Sequence, residues 1–335
     1  MPSPTKDIVV IGASAGGIAA LEHLVADLPL NFPAAILVSV HLAPWNASQL
    51  PEILSRHGAL PASHPLTGSH IQNSHIYVAP PNQHLLIKKG RIKLSSGPQE
   101  NRARPAINAM FRSAAAAYGP RVIGVLLTGM LDDGTSGLWE IKECGGTTIV
   151  QDPLDAPYPD MPQHALDNVS IDYVVPIRKL APLLIELAGQ PLSPESASNQ
   201  EEAKMQEFHR TDLTCPECRG PISEFSQEGV KEFRCRVGHR YAPETFLVSL
   251  SETRERALWA AVVVLEEGAD VAKELAGRVT PAIKSRYEQE AKHNAKAAAT
   301  IRDLLIGLNQ DQSRHLLKQK LETQLLKDEP HDPNA

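Results

Sequence analysis

A doubly wound α/β fold, with a mostly parallel sheet and helices on both faces, is predicted by three observations. Between residues 7 and 190, short apolar, β-branched runs alternate with helix-forming runs. The apolar runs are continuous rather than alternating, as in strands buried on both faces. A serine between glycines, Gly12-Ala13-Ser14-Ala15-Gly16-Gly17, stands at the first junction between a strand-like and a helix-like run.

In chain order, the expected strands are Ile8–Ile11, Ala35–Val40, His75–Ala79, Val122–Leu127, Thr147–Val150 and Tyr173–Val175. The expected helices are Gly17–Leu28, Ala47–Arg56, Pro105–Ala117, Gly134–Glu143 and Pro162–Asn168. Pro105 suits a first helical position, and Gly145-Gly146 suits a helix end. His84–Leu94 reads as a hairpin turning at Lys89-Gly90. The pattern stops near Gly189, which bounds a first domain at 1–190. The polar stretch 191–207 reads as a linker. A Cys-containing module at 208–248 follows, then an antiparallel helical pair at 249–322 (Leu250–Ala276 and Ile283–Lys320) broken at Thr280-Pro281, then a disordered tail at 323–335.

Composition removes several classes. A net charge of −6 argues against a nucleic-acid surface, and no apolar stretch reaches the roughly 18 residues needed for membrane insertion. Met1–Asp7 lacks the basic-then-apolar layout of a signal peptide, so a cytoplasmic location with reduced cysteines is expected.

The Gly12–Gly16 segment fits G-x-S-x-G, in which a tight turn presents a serine hydroxyl beside backbone N–H groups. A phosphate or dinucleotide cradle would use similar glycines. A nicotinamide-binding domain, however, wants an acidic residue after the second strand, and His41 stands there. A serine nucleophile needs a base, and the base needs an orienting partner. His41 ends one strand, and Asp132-Asp133 follow another, so all three groups can meet at carboxyl ends of strands. Chemistry alone does not separate Asp132 from Asp133; either could also cap a helix. The order Ser, His, Asp argues against the lipase-type α/β-hydrolase, which runs Ser, Asp/Glu, His. His57, His64, His70, His75, His84 and His164 read as loop or surface residues.

Cys215-x2-Cys218 and Cys235-x3-His239, sixteen residues apart, suit tetrahedral zinc. Four protein ligands leave no open position, so the zinc is structural, and a module this small draws folding energy from it. Reduced core cysteines, or a redox pair at Cys215 and Cys218, are the rival readings. Cys144 reads as packing. Because the module lies beyond a linker, its loss is expected to leave hydrolysis of a small ester intact.

Four stretches resemble the bacterial chemotaxis protein-glutamate methylesterases: Ile11–Gly17, His41 with Pro44, Gly97–Pro105, and Leu127–Met130 with Asp133-Gly134; Met161-Pro162 also fits. The resemblance covers residues 7–188 and implies hydrolysis of glutamate γ-methyl esters on cytoplasmic helices of chemoreceptor-like proteins, with glutamine deamidation as a further activity. It implies Ser14 as nucleophile, His41 as base and Asp133 as orienting carboxylate, with no cofactor for catalysis. Oxyanion and substrate contacts fall to Ala15, Met130, Arg102 and Arg104. Methyltransferase or other signalling proteins are implied as further partners. That family usually has glycine where Leu131 stands, and many members have proline where Ala43 stands. Its best-known members carry a preceding phospho-receiver domain, for which Ser14 lies too near the start; the extension after residue 190 resembles those of some stand-alone forms. The alternative is a catalytically idle receptor-binding scaffold.

Overall fold

The structure, a computed structural model, describes residues 4–42, 48–192, 207–227 and 230–328. The expected linker and Pro44 of the motif lie almost wholly or wholly outside these residues, as does 329–335.

Seven parallel strands form the main sheet: β1 (Ile8–Ala13), β2 (Ala35–Val40), β3 (Ala62–Ser63), β4 (Ile76–Val78), β7 (Val122–Leu126), β8 (Thr147–Gln151) and β9 (Tyr173–Val175). A separate antiparallel hairpin pairs β5 (His84–Lys88) with β6 (Arg91–Ser95). The sheet order is β3-β4-β2-β1-β7-β8-β9, so the winding reverses at β1. All six residues of β1 are buried, which suits a central strand covered on both faces. Side chains alternate between two cores. Val9, Ile11, Ile36, Val38 and Val125 face one way, against α1 (Gly17–Ala26), α2 (Leu50–His57) and α6 (Ile177–Leu187). Ile8, Val10, Leu37, Val122 and Val150 face α3 (Ile107–Tyr118), α4 (Thr135–Glu143), α5 (Asp160–Asn168) and the hairpin.

Among the strands and α-helices of the first domain, one strand and one helix escape the sequence reading. β3 is only two residues long at the sheet edge. α6 carries Pro182 inside the helix, which disguises a face made of Leu180, Ala181, Leu184 and Leu187. Glycines set the approach of helices to the sheet. A Cβ on Gly12 would lie 2.3 Å from Ile107 Cγ2, so α3 begins directly over the end of β1 only because residue 12 is glycine. At the end of α4, Gly145 takes φ 77°, and Gly145 and Gly146 donate to the carbonyls of Lys142 and Ile141.

The Cys-containing module is a four-stranded antiparallel sheet of β10 (Glu207–Thr214), β11 (Pro221–Gln227), β12 (Val230–Cys235) and β13 (Arg240–Tyr241). It does not stand apart from the first domain. Residues up to Leu247 form one compact unit and Val248 onward a second. Within the first unit Asn101 N–H donates to Arg240 O (2.8 Å), and Ala242 N–H donates to Asn101 Oδ1 (2.7 Å). Helix α7 (Pro243–Ala276) starts earlier than expected, inside the first unit.

In the second unit α7 and α8 (Pro281–Asp328) run antiparallel. Val262, Ala298 and Leu305 are buried between them, and Arg302 pairs with Glu266 at 2.6 Å. Pro281 starts α8, as expected. The helix continues to Asp328, so residues 323–328, expected as disordered tail, are helical. No helix among the described residues is long and apolar enough to cross a membrane.

Candidate active site

Ser14 leaves the end of β1 in a turn closed by Gly17 N–H on Ser14 O (2.9 Å), with Gly16 at φ 75° before α1. Its own N–H donates to Thr128 O (3.0 Å), which ties the turn to the segment after β7. His41 follows β2. β2, β1 and β7 are neighbours, so their three carboxyl ends form one site at the point where the winding reverses.

Ser14 Oγ lies 3.0 Å from His41 Nδ1, and His41 Nε2 lies 2.8 Å from Asp133 Oδ2. A carboxylate only accepts, so Nε2 carries the hydrogen and the Nδ1 lone pair faces the serine hydroxyl. The ring is about a quarter exposed, whereas Asp133 is buried. Four donors hold Asp133. Oδ2 accepts from His41 and from Ile107 N–H (2.7 Å); Oδ1 accepts from Asn101 Nδ2 (2.9 Å) and Asn108 N–H (3.2 Å). Two of these are the first N–H groups of α3, a place that favours an anion. Burial alone would raise the Asp133 pKa. Hydrogen bonding and charge from His41, then the bonds from Ile107 and Asn101, outweigh it and hold the carboxyl below its ordinary value.

Asp132, its neighbour, serves a different element. It accepts from Glu244 N–H (2.9 Å) and from the Thr245 hydroxyl, at the start of α7. Its pKa is raised because burial outweighs those bonds. The helix-cap reading of the aspartate pair thus applies to Asp132, on α7 rather than on α4.

Gly129 lies against the serine: a Cβ there would stand 2.9 Å from Ser14 Cβ and 2.5 Å from Met161 Cε. Met130 and Tyr158 are large, exposed side chains on this face. Neither the Ala15 nor the Met130 N–H has a backbone partner among the described residues. Leu131 has φ 63°, the left-handed backbone that a glycine there would take without strain. Arg104 is committed to the protein. Its Nε and Nη2 donate to Asn82 Oδ1 (2.9 and 2.7 Å), and Nη1 donates to the carbonyls of Ser96 and Gly97. It braces the 97–105 loop. Arg102, partly buried at φ 61°, follows Asn101 at φ 49° in that loop.

Residues 9–184 match the family described as CheB methylesterase, a span of more than half the chain. The chain belongs to the CheB methylesterase family. A Leptospira interrogans relative is 38% identical over 182 residues, covering 54% of this chain and 94% of the relative. A Methanosarcina acetivorans relative named protein-glutamate methylesterase/protein-glutamine glutaminase 2 is 36% identical over 55% of this chain and 54% of its own length. This chain therefore spans about half the length of that longer relative. The crystal structure of the Thermotoga maritima CheB methylesterase catalytic domain, 34% identical, superposes with a TM-score of 0.52 over 54% of this chain and 98% of that one. CheB-type similarity thus ends before the Cys-containing module.

The module draws four ligand atoms together. Cys215 and Cys218 lie between β10 and β11, and Cys235 and His239 lie at the β12–β13 turn. All four atoms fall within 4.8 Å of one another. Cys218 and Cys235 sulfurs are 3.7 Å apart; His239 Nδ1 is 3.7 Å from Cys215 Sγ and 3.4 Å from Cys235 Sγ. A tetrahedral ion with S bonds of about 2.3 Å and N bonds of about 2.0–2.1 Å needs separations of about 3.8 Å for S···S and 3.5 Å for S···N. The residues fit a metal. His239 N–H also donates to Cys235 Sγ (3.3 Å), and Tyr241 Oη is 3.3 Å from Cys215 Sγ, contacts that steady thiolates. Cys144 lies outside this cluster, partly buried against the second core.

Asn101 and Asn108, which both donate to Asp133, are positions that the sequence reading passed over. Asn108 Oδ1 accepts from Gly134 and Gly137 N–H (3.0 and 2.8 Å), fixing the start of α4 beside Asp133. Asn101 lies inside a motif stretch, but its partner strand is more than a hundred residues away.

Proposed function

We propose that this chain is a serine hydrolase that removes γ-methyl groups from glutamates on cytoplasmic helices of a chemoreceptor-like protein, and deamidates glutamines by the same route. The observation that carries it is the continuous Ser14–His41–Asp133 hydrogen-bonded line, joined to family membership. His41 Nδ1 takes the Ser14 proton as Oγ attacks the ester carbonyl. The ammonium-like imidazolium then returns that proton to the leaving methoxide, and methanol departs, leaving a glutamyl ester on Ser14. Water, deprotonated by His41, releases the glutamate. For a glutamine the leaving group is ammonia. Ala15 and Met130 N–H groups are the proposed oxyanion donors. Arg104 is assigned a loop-positioning part, and Arg102 a substrate-facing one.

Ser14→Ala should lower methanol release from a methylated receptor by about 10⁶-fold, and adding His41→Ala should lower it little further, because the pair acts as a unit. Methanol release by Ser14→Ala equal to that of the parent would exclude the mechanism.

Cys215, Cys218, Cys235 and His239 are proposed to hold one Zn²⁺ that takes no part in the chemistry itself, since four protein ligands complete its shell. Elemental analysis should give one zinc per chain, and chelation should lower the melting temperature. Zinc far below one equivalent, with Cys215→Ser neutral to stability, would refute this.

A further inference from the structure

We propose that Asn101 is a positioning residue through which the Cys/His module sets the triad aspartate, so that esterase turnover depends on the metal even though the metal touches no substrate. The inference rests on the hydrolase reading and adds a dependence that the family match, ending at residue 184, does not contain.

The geometry is a clamp with two jaws. The Asn101 amide is buried, and its two ends point in opposite directions. Nδ2 donates to Asp133 Oδ1 at 2.9 Å; Oδ1 accepts Ala242 N–H at 2.7 Å, and the Asn101 backbone N–H donates to Arg240 O at 2.8 Å. An amide has no rotor that could keep the first bond while losing the orientation imposed by the second. The residues on the far jaw flank the metal cluster: Arg240 follows His239, and Tyr241 reaches Cys215. Cys235 N–H donates to His239 O (3.0 Å), so drawing Cys235 and His239 onto one ion fixes the strand that Asn101 grips.

The surroundings repeat the theme. Glu100, next in sequence, receives both bonds of a paired Arg112 (2.6 and 2.8 Å) from α3, and stands opposite Arg240. Asp132, next to the triad aspartate, holds the first turn of α7 immediately beyond β13. His164 of α5 pairs with Glu244 of that turn. Phe233 stacks on Phe246 of the same turn, and Tyr241 packs tilted against Phe246. Asn101 also adopts φ 49°, a left-handed backbone that asparagine tolerates better than most residues, which keeps the amide aimed at both jaws.

Removing the Nδ2 donor takes one charge-assisted bond from Asp133. Such a bond corresponds to roughly tenfold to a hundredfold in rate when it orients a catalytic group. The predicted loss lies in kcat, with KM unchanged, because Asn101 touches Asp133 and no substrate.

The test uses the full chain, a small acyl ester, and a fluorophosphonate probe that reports Ser14 reactivity independently of the receptor. Three variants separate the contributions. Asn101→Gly removes the side chain and keeps the left-handed backbone. Asn101→Asp keeps the acceptor for Ala242 N–H but replaces the donor with a like charge, so its kcat relative to the parent at the same pH should fall as pH rises and recover towards acid, where the introduced carboxyl can donate. Cys218→Ser weakens the metal site from outside. Chelation of the parent should slow both ester turnover and Ser14 labelling at least tenfold, reversibly with added zinc, and should speed hydrogen exchange at the Asn101 and Ala242 amides. In Asn101→Gly, already slow, chelation should add little. Equal labelling rates for parent, chelated parent and Asn101→Gly would overturn the proposal. So would an additive loss on chelating Asn101→Gly, or an unchanged pH profile in Asn101→Asp. If Ser14 labelling follows the metal as described while receptor demethylation is absent, the coupling stands and the substrate reading fails.

Discussion

Two adjoining carboxylates of one chemical type are sorted by what reaches them. Asp133 meets the His41 ring and the first N–H groups of α3, whereas Asp132 meets the first turn of α7. Asp133→Asn should cut kcat on a small ester by roughly 10⁴-fold, since an amide leaves His41 in the wrong tautomer. Asp132→Asn keeps one acceptor oxygen but sets an NH2 group against the donor that the other oxygen served, so it should instead cost about 1–3 kcal/mol of stability, the scale of a buried polar group left unsatisfied, with kcat falling far less. Steady-state rates and thermal melts of both variants check this; a larger rate loss in Asp132→Asn would reverse the assignment. The serine and histidine were legible because their motif and strand-end positions are local. The remaining histidines were less so. His84, expected at the surface, is buried, donates from Nε2 to Pro98 O (2.9 Å) and accepts Ala106 N–H on Nδ1 (3.2 Å). His164 is half-buried against Glu244, which raises its pKa. Nothing near either residue in sequence announces these partners.

Among elements, strands were easier to read than the contacts between them. All six expected strands exist: five are buried throughout and declare themselves by continuous apolar character, whereas the edge strand β9 is largely exposed and was read from its aromatic and β-branched residues. α6 was hidden by Pro182, and the docking of the module by the fact that it uses polar groups and backbone amides. One of those polar contacts has a pH signature. Glu140 on α4 is partly buried, and its desolvation pushes its pKa up to about 7; Arg112, Arg240 and Arg234 oppose the rise, and Glu232 of β12 reinforces it. A carboxyl with a raised folded-state pKa favours folding fully below its ordinary 4.5, and that contribution is lost as pH rises through about 7. Stability should therefore decline between about pH 4.5 and 7 from this group. Glu140→Gln should flatten the decline and raise the melting temperature at pH 8. A parallel pH dependence in parent and Glu140→Gln would contradict the placement of Glu140 against Glu232.

At the scale of the whole molecule, the division falls after Leu247, inside α7, and not at the polar linker that composition suggested. The second unit has its own small core of Val262, Ala298 and Leu305, with Leu258, Leu265 and Ile301 packed against it. Leu305→Ala should cost about 2–5 kcal/mol there. Calorimetry should then record one transition moved down and another, belonging to the first unit, held in place, with small-ester hydrolysis unchanged; a single transition shifting as a whole would show the two units to melt as one. The clamp at Asn101 also has a consequence in time. During synthesis Asp133 precedes Ala242 by 109 residues, and at about 5–20 residues per second that is an interval of roughly 5–20 s. Through that interval the nascent chain already carries serine, histidine and aspartate but lacks the strand that grips Asn101. On the coupling proposed above, full esterase activity is expected only once the last strand of the module has been made and Cys215, Cys218, Cys235 and His239 have been drawn together, well after Ser14, His41 and Asp133 have left the ribosome.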